Sequence, residues 1–289
     1  MRFVIVLLLR SIYFIILPIS LPLSTIFLLI FRNSVCRGGF GYRVYRKLHV
    51  LTIGLVSIVM ARVTRNVALN IDEYREVSNL LPELEKNGMV VFKDSLPRKD
   101  LDKILKMFEG DLIKRTSSRW DVPEDVLVNS EVVNQVLIRN SRLQSLARMY
   151  LNAEPVCDLV AAWRSFPTEN KSDLNAAAQM WHFDLDSTRW LKIFIYLSDV
   201  SLENGPHQMI AKTHNILPLW IWRDGRFTDE QLSRKLLNNT KTVVGKAGSI
   251  VAVDTRALHR GLPLVSGYRD IIQVQFSASG FGKLTPINA

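Results

Sequence analysis

Cysteine is scarce in this chain. Only Cys36 and Cys157 occur among 289 residues, and two thiols cannot form a disulfide framework or a cysteine-rich zinc site. The scarcity therefore excludes the small, disulfide-stabilised class of secreted domains, and it is compatible with a reducing compartment. The chain is long enough instead for one or two domains with hydrophobic cores of their own.

Acidic residues are absent from the first 71 positions, which contain nine Arg and Lys residues. The other 28 basic residues and all 27 acidic residues come later, so the net charge of +10 belongs almost wholly to the N-terminal region. The later part contains neither a basic patch interleaved with aromatic residues nor a nucleic-acid-binding motif. We therefore expect no nucleic-acid partner, and the basic excess indicates a membrane surface.

An uncharged run, SIYFIILPISLPLSTIFLLIF, occupies residues 11–31. A helix needs about 20 apolar residues to cross a bilayer, although Pro18 and Pro22 also allow a kinked or re-entrant segment. More basic residues follow the run than precede it, which predicts that the remainder lies on the cytoplasmic side. A second apolar patch at residues 48–61 is too short to span comfortably and is typical of an interfacial helix.

A cleaved signal peptide is the alternative interpretation of this region. Arg10 interrupts the apolar segment, and no small-x-small cleavage site precedes the basic loop. We therefore expect residues 1–65 to form a membrane anchor with a basic interfacial region, single-pass or interfacial, in contact with membrane lipid. Residues 66–289 then form a separate folded domain.

The later part of the chain alternates between helical and strand patterns. Apolar spacing and turn residues predict helices over residues 74–86, 100–109 and 142–151. Short β-rich segments separated by turns predict strands over residues 89–92, 156–163, 191–197, 240–244, 249–253 and 271–276. Such a series of short strands indicates a double-sheet jelly roll, here backed by helices, in the α+β class.

The segment QMWHFD contains the strongest chemical signal. His182 and Asp184 are two residues apart, so in an extended strand both side chains point to one face. A second histidine from a later strand, His259, would complete two histidines and one carboxylate, which hold one face of an iron(II) ion and leave positions open for a co-substrate and oxygen. His207 and His214 are competing histidines; His207 follows a turn, which favours a position at the surface or behind the ligands.

Four segments in this order resemble one family. They are ELEKNGMVVFKDSLP, QMWHFD, FIYLSDVSLENGPHQMIAKTHN, and HRG followed by Tyr268-Arg269. Over residues 74–280 the chain resembles the phytanoyl-CoA dioxygenase-like branch of the iron(II)/2-oxoglutarate-dependent oxygenases. The resemblance implies a double-stranded β-helix, which is a jelly roll backed by helices.

The resemblance also implies roles for individual residues. His182, Asp184 and His259 would be the catalytic iron ligands, and Arg269 would form a bidentate pair with the far carboxylate of 2-oxoglutarate. Phe194 occupies the position of an aromatic residue beside the co-substrate. Lys192 and Tyr196 share its strand face, and Lys192 is a further candidate for cofactor binding. The implied cofactors are Fe(II), 2-oxoglutarate and O2.

The implied reaction is hydroxylation of an unidentified small-molecule or lipid-linked substrate by a membrane-associated dioxygenase. Asp184 favours this outcome because related halogenases lack the carboxylate so that chloride can bind iron. A membrane-anchored jelly-roll binding protein without turnover is the alternative function. A zinc hydrolase is a third interpretation, but the sequence shows no nearby glutamate arranged as its base.

Overall fold

The computed structural model describes residues 75, 77–92, 96–169, 178–184, 190–215 and 226–278. The predicted anchor at residues 1–65, including the segments 11–31 and 48–61, lies outside these ranges. Every helix within the described ranges is too short or too polar to cross a bilayer.

Helices occupy the N-terminal half of the described chain and one later insertion. They are α1 (Leu81–Asn87), α2 (Arg98–Gly110), α3 (Glu124–Asn129), α4 (Glu131–Val133), α5 (Ser141–Leu151) and α6 (Arg234–Leu237). The helix α4 continues into a π-helical turn, Asn134–Ile138, and a short 3-10 turn, Asp229–Gln231, precedes α6.

Within the described ranges, ten strands form two antiparallel sheets. They are β1 (Met89–Phe92), β2 (Ile113–Lys114), β3 (Arg119–Val122), β4 (Val156–Ser165), β5 (Trp190–Tyr196), β6 (His207–Ile210), β7 (Thr240–Val243), β8 (Ile250–Val253), β9 (His259–Gly261) and β10 (Arg269–Ser277). The large sheet has the order β1-β8-β5-β10-β4-β3-β2, and the small sheet has the order β7-β6-β9.

Alternation along the central strands divides the interior into two layers. On β5, Ile193 and Ile195 join the core that packs under the helices, whereas Phe194 and Tyr196 join the cluster between the two sheets. Successive side chains of a strand point to opposite faces, so a strand buried on both sides is apolar throughout. The inner face of the large sheet is therefore the surface available for a site.

Local sequence accounts for the helices that cover the outer face. The helix α2 buries Leu101, Ile104 and Phe108, which recur at helical spacing. The side chain of Asn140 accepts a hydrogen bond from the backbone N–H of Leu143 and so caps the start of α5. At the end of α1, Gly88 has a φ of 81°, a left-handed conformation that favours glycine.

The predicted α+β class and jelly roll of two antiparallel sheets are confirmed. The predicted strand at residues 89–92 coincides with β1, and the predicted helix at 142–151 differs from α5 by one residue. The sequence patterns do not predict β2 and β3. The strand β2 has only two residues, both exposed, and β3 is buried at a single position, so neither carries a hydrophobic alternation.

Candidate active site

Three side chains from distant positions converge between the sheets. The backbones of His182 and His259 form a bridge, in which each N–H donates to the other carbonyl at 3.0 and 2.8 Å. The backbone N–H of Asp184 donates to the carbonyl of Thr255 at 2.9 Å, which fixes the backbone of the same segment two residues further along. One ligand atom from each of His182, Asp184 and His259 lies within 4.8 Å of the other two.

Both histidines are oriented by backbone carbonyls. The Nδ1 of His182 lies 2.8 Å from the carbonyl oxygen of Met180, and the Nδ1 of His259 lies 3.0 Å from that of Ala257. Since a carbonyl only accepts, we assign the proton to each Nδ1, which leaves Nε2 as the ligand atom. Burial lowers the pKa of His182 to about 4 and that of His259 to about 3, so both imidazoles are neutral near pH 7 and able to bind a metal.

The carboxylate of Asp184 is held by a buried cation. Lys192, from the inner face of β5, places its Nζ 2.5 Å from Oδ2 of Asp184. Burial raises the pKa of Asp184, but the charge of Lys192 and the neighbouring histidines lower it by more, so the group is ionised. Two neutral imidazoles and one carboxylate form a donor set that fits iron(II).

Arg269 begins β10 and is buried, with 2% of its surface exposed. Its Nε and Nη1 are buried and have no hydrogen-bond partner among the described residues. Burial lowers its pKa to about 10, so it remains charged near neutrality. Because a buried, unpaired guanidinium is costly, this arrangement fits a carboxylate ligand, which a guanidinium can bind through two parallel hydrogen bonds.

A cavity of about 260 Å³ is lined by all of the residues expected at the site. Its lining includes the three candidate ligands and the three candidate cofactor-binding residues: His182, Asp184, His259, Lys192, Phe194 and Arg269. A larger depression of about 800 Å³ is more open to solvent and includes none of them.

The three remaining candidates take different positions. The sequence leaves His207 either at the surface or behind the ligands, and the structure favours the second: the residue is buried, and its ring centroid is 5.8 Å from that of His259 and 5.1 Å from that of Phe194. Tyr196 lies between the sheets, where its hydroxyl donates to the carbonyl of Val243 at 2.8 Å, and it does not line the cavity. His214 lies 3.0 Å from the carbonyl oxygen of Glu85 through Nε2 and is not among the clustered ligands.

Sequence reasoning does not identify Arg119 and Arg226, which also line the cavity. Arg119 lies on β3, stacks 4.7 Å over the ring of Trp163 and donates from Nε to Asp121 at 2.6 Å. Arg226 lies in the segment that connects β6 to α6. An isolated arginine in a segment without periodicity carries no signal, so only the fold could reveal either residue.

The residues next to the ligands brace each other. The guanidinium of Arg260, which follows His259, lies 4.3 Å over the ring of Trp181, which precedes His182. Asp229 accepts from both, at 2.6 Å from Nε1 of Trp181 and at 3.0 Å from Nη1 of Arg260. This cluster joins the two ligand-bearing segments outside the cavity.

Comparisons with known proteins agree with this geometry. The profile of the family described as phytanoyl-CoA dioxygenase (PhyH) matches residues 84–269. A comparison with curated protein sequences found no significant match.

Solved structures with the same fold include three proteins. HygX from Streptomyces hygroscopicus, with nickel and 2-oxoglutarate bound, is 16% identical, with a TM-score of 0.57 over 77% of this chain and 92% of that one. SnoN, a non-heme alpha ketoglutarate dependent epimerase from nogalamycin biosynthesis, is 16% identical, with a TM-score of 0.56 over 70% and 83%. EctD from S. alaskensis, with bound Fe, is 15% identical, with a TM-score of 0.52 over 70% and 76%.

At these identities the structural similarity shows a shared fold, whereas the family profile covers more than half of the chain and includes His182, Asp184, His259 and Arg269. The chain therefore belongs to the phytanoyl-CoA dioxygenase family of iron(II)- and 2-oxoglutarate-dependent oxygenases.

Proposed function

We propose that this oxygenase hydroxylates a C–H bond of a small-molecule or lipid-linked substrate in the cavity between its sheets. The observation that carries the proposal is the convergence of His182, Asp184 and His259 on one point, with the unpaired guanidinium of Arg269 in the same cavity. When bound, iron(II) together with 2-oxoglutarate and O2 supplies the oxidising power for hydroxylation and yields succinate and carbon dioxide.

The residues of the chain would bind the metal and the co-substrate, orient them, and exclude water from the site. Nε2 of His182, Nε2 of His259 and one carboxylate oxygen of Asp184 would hold the metal, and a donor set of this kind leaves positions open for co-substrate and oxygen. Lys192 holds the carboxylate in position. Arg269 pairs with the far carboxylate of 2-oxoglutarate, and the ring of Phe194 forms an apolar wall of the cavity, which keeps water from the reacting atoms.

The alternative, a jelly-roll binding protein without turnover, predicts a cavity that does not hold iron. The intact set of donors and the unpaired Arg269 favour the enzyme. A zinc hydrolase needs a carboxylate base beside its metal ligands. Among the described residues that line the cavity, Asp184 is the only acidic one, and it is already assigned to the metal.

Succinate release tests the proposal directly. The purified full chain is incubated with iron(II), ascorbate and 2-oxoglutarate, and succinate is measured for the wild type, Asp184→Ala and the control Asp199→Ala, which removes an exposed carboxylate outside the cavity. We expect release by the wild type and the control and almost none by Asp184→Ala. No bound iron and no release by any of the three would favour the binding protein.

The substrate is sought by comparing metabolites and lipids of cells with and without the gene. A species heavier by one oxygen that appears only with the wild-type gene, and not with the Asp184→Ala gene, identifies the product. A difference that persists with Asp184→Ala would not come from this site.

We further propose that residues 1–65 hold the catalytic domain at the cytoplasmic side of a membrane. The uncharged run at residues 11–31 and the basic residues after it support this placement. The full chain should remain in membranes after alkaline extraction, and a C-terminal tag should be cleaved by protease added from the cytoplasmic side. Release of the chain by salt alone would contradict an embedded anchor.

A further inference from the structure

The cavity wall carries more positive charge than iron and 2-oxoglutarate require. Among the described residues, four cationic side chains and one acidic side chain line it; the cations are Arg119, Lys192, Arg226 and Arg269. Two of them have an acidic partner within the chain, since Lys192 bonds to Asp184 and Arg119 bonds to Asp121. Arg269 faces the place proposed for the far carboxylate of 2-oxoglutarate. Arg226 is left without an assigned anion.

The backbone places Arg226 beside the metal ligands. Its neighbour Phe227 exchanges two hydrogen bonds with Trp181, at 3.1 and 2.8 Å, and Trp181 is followed directly by His182. Arg226 is therefore held in register with the segment that bears two of the three ligands. It is also close enough for its charge to add to burial in lowering the pKa of His182, while Asp184 acts in the opposite sense on Arg226 itself.

The side chain of Arg226 is incompletely satisfied. Its Nη1 is buried and has no hydrogen-bond partner among the described residues, and Phe227 and Trp181 behind it are both fully buried. Leaving a buried donor of a charged group unpaired costs free energy, which a charged acceptor in the cavity would recover.

The loaded site remains electropositive. The charge of iron(II) is balanced by the two carboxylates of 2-oxoglutarate, and the charge of Asp184 is balanced by Lys192. The guanidinium groups of Arg269 and Arg226 are then both in excess. A field of this sign attracts anions and disfavours cationic substrates.

Resting on the proposed function, we infer that the substrate carries an oxyanionic group, a carboxylate or a phosphate ester, and that Arg226 binds this group beside the iron. The side chain thereby selects the substrate and positions it, and it is not required for binding of iron or 2-oxoglutarate. Arg269 thus binds the co-substrate, and Arg226 binds the substrate.

Binding of matched probes tests this inference without turnover. The full chain is loaded with Ni(II) and saturating 2-oxoglutarate, and calorimetry measures the affinity for benzyl phosphate, phenylacetate, neutral phenylacetamide and cationic benzylamine. We expect at least one of the two anions to bind. The neutral phenylacetamide and the cationic benzylamine should each bind at least about tenfold more weakly than that anion. Stronger binding of the phosphate or of the carboxylate distinguishes the two oxyanions.

Three variants assign the effect to Arg226. Arg226→Met should weaken anion binding by at least about tenfold, Arg226→Lys should retain most of it, and Lys241→Met should leave it unchanged because it removes an exposed cation outside the cavity. All three should keep the wild-type affinity for 2-oxoglutarate. This last measurement separates the two proposals, since a protein that fails to bind nickel or 2-oxoglutarate contradicts the oxygenase site itself.

Two results would overturn the inference while leaving the oxygenase intact. One is a loaded protein that binds no anionic probe, or binds the neutral probe equally well. The other is anion binding that survives Arg226→Met, or that occurs only when 2-oxoglutarate is left out, which would place the anion in the co-substrate site.

Discussion

Lys192 Nζ lies 2.5 Å from Oδ2 of Asp184, so a cation from the middle of the large sheet holds the carboxylate proposed to bind iron. We predict that Lys192→Met weakens iron(II) binding by about 10- to 100-fold, the usual effect of removing a partner that orients a metal ligand. Because Lys192 helps to keep the pKa of Asp184 low, that pKa rises in the variant. The loss of metal affinity should therefore be larger at about pH 5 than at about pH 8.

Lys192→Arg is the matched control for this prediction. It keeps the charge but changes the geometry, so its metal affinity should depend on pH as the wild type does even if it is lower overall. Metal binding by Lys192→Met that equals the wild type at both pH values would show that the contact does not position the carboxylate.

Gly261, on the small sheet, makes room for the side chain of Arg269, on the large sheet. A Cβ added at Gly261 would lie 2.9 Å from both terminal nitrogens of Arg269, which is closer than unbonded atoms approach, and the buried guanidinium would have to shift. We predict that Gly261→Ala raises the KM for 2-oxoglutarate by about 10-fold or more, since misplacing a bidentate partner costs a charge-assisted hydrogen bond. Steady-state succinate release measures the change.

The effect of Gly261→Ala should be confined to the co-substrate. Iron affinity should stay within about threefold of the wild type, because the three atoms nearest to this Cβ position all belong to Arg269. An unchanged KM for 2-oxoglutarate in a folded Gly261→Ala protein would mean that Arg269 tolerates the shift or does not bind the co-substrate.

A second buried ion pair, between Arg164 and Asp270, lies next to Arg269 in the sequence of β10. Asp270 accepts two hydrogen bonds from Arg164, both at 2.7 Å, and thereby joins β10 to β4. Its side chain is only 3% exposed. We predict that Asp270→Asn lowers the free energy of unfolding by about 3 kcal/mol, as expected when one partner of a buried pair loses its charge. Urea unfolding of the wild type and the variant measures the difference.

Asp199→Asn serves as the comparison for that measurement. Asp199 forms an ion pair of the same length, 2.7 Å, with Lys246, but the side chains of Asp199 and Lys246 are 60% and 74% exposed. An exposed pair contributes at most about 1 kcal/mol. Equal losses in the two variants would contradict the claim that burial makes the Arg164–Asp270 pair important.

Local patterns were sufficient for the features that depend on a single segment. Met89–Phe92 is a run of β-formers after a helix that ends at Gly88, and it forms β1 as predicted. The structure brings His182 and Asp184 to one point as predicted, although their segment forms isolated bridges at Trp181 and His182 rather than the expected strand. Sequence order was also enough to indicate His259 and Arg269, because the motifs follow each other as in the family.

Features that depend on pairing between segments outside the recognised motifs were not predictable. Arg226 reaches the cavity because Phe227 pairs with Trp181, and Arg119 reaches it because β3 pairs with β4 at the edge of the large sheet. His207 is buried because β6 lies between β7 and β9. None of these pairings leaves a periodic signal in the sequence around the residue, so the cationic wall of the cavity appears only in the folded chain.

The metal-free protein should lose stability in mild acid through its own ligands. Burial lowers the pKa of His182 to about 4 and that of His259 to about 3, whereas in the unfolded chain both titrate near the ordinary value of about 6.5. Between these values the unfolded state binds more protons, so the free energy of unfolding decreases as the pH falls from about 6.5 towards 4. Each histidine contributes a slope of at most about 1.4 kcal/mol per pH unit.

Urea unfolding of the metal-free wild type and of the double variant His182→Gln/His259→Gln, at about pH 7, 6 and 5, measures this slope. The wild-type curve should fall more steeply than that of the double variant, because glutamine takes up no proton, while ionisable groups away from the site contribute alike to both. Parallel curves would mean that the two imidazoles are not buried in the metal-free protein. In that case the metal would have to organise its own site on binding, and the low pKa values would not describe the state that first meets iron.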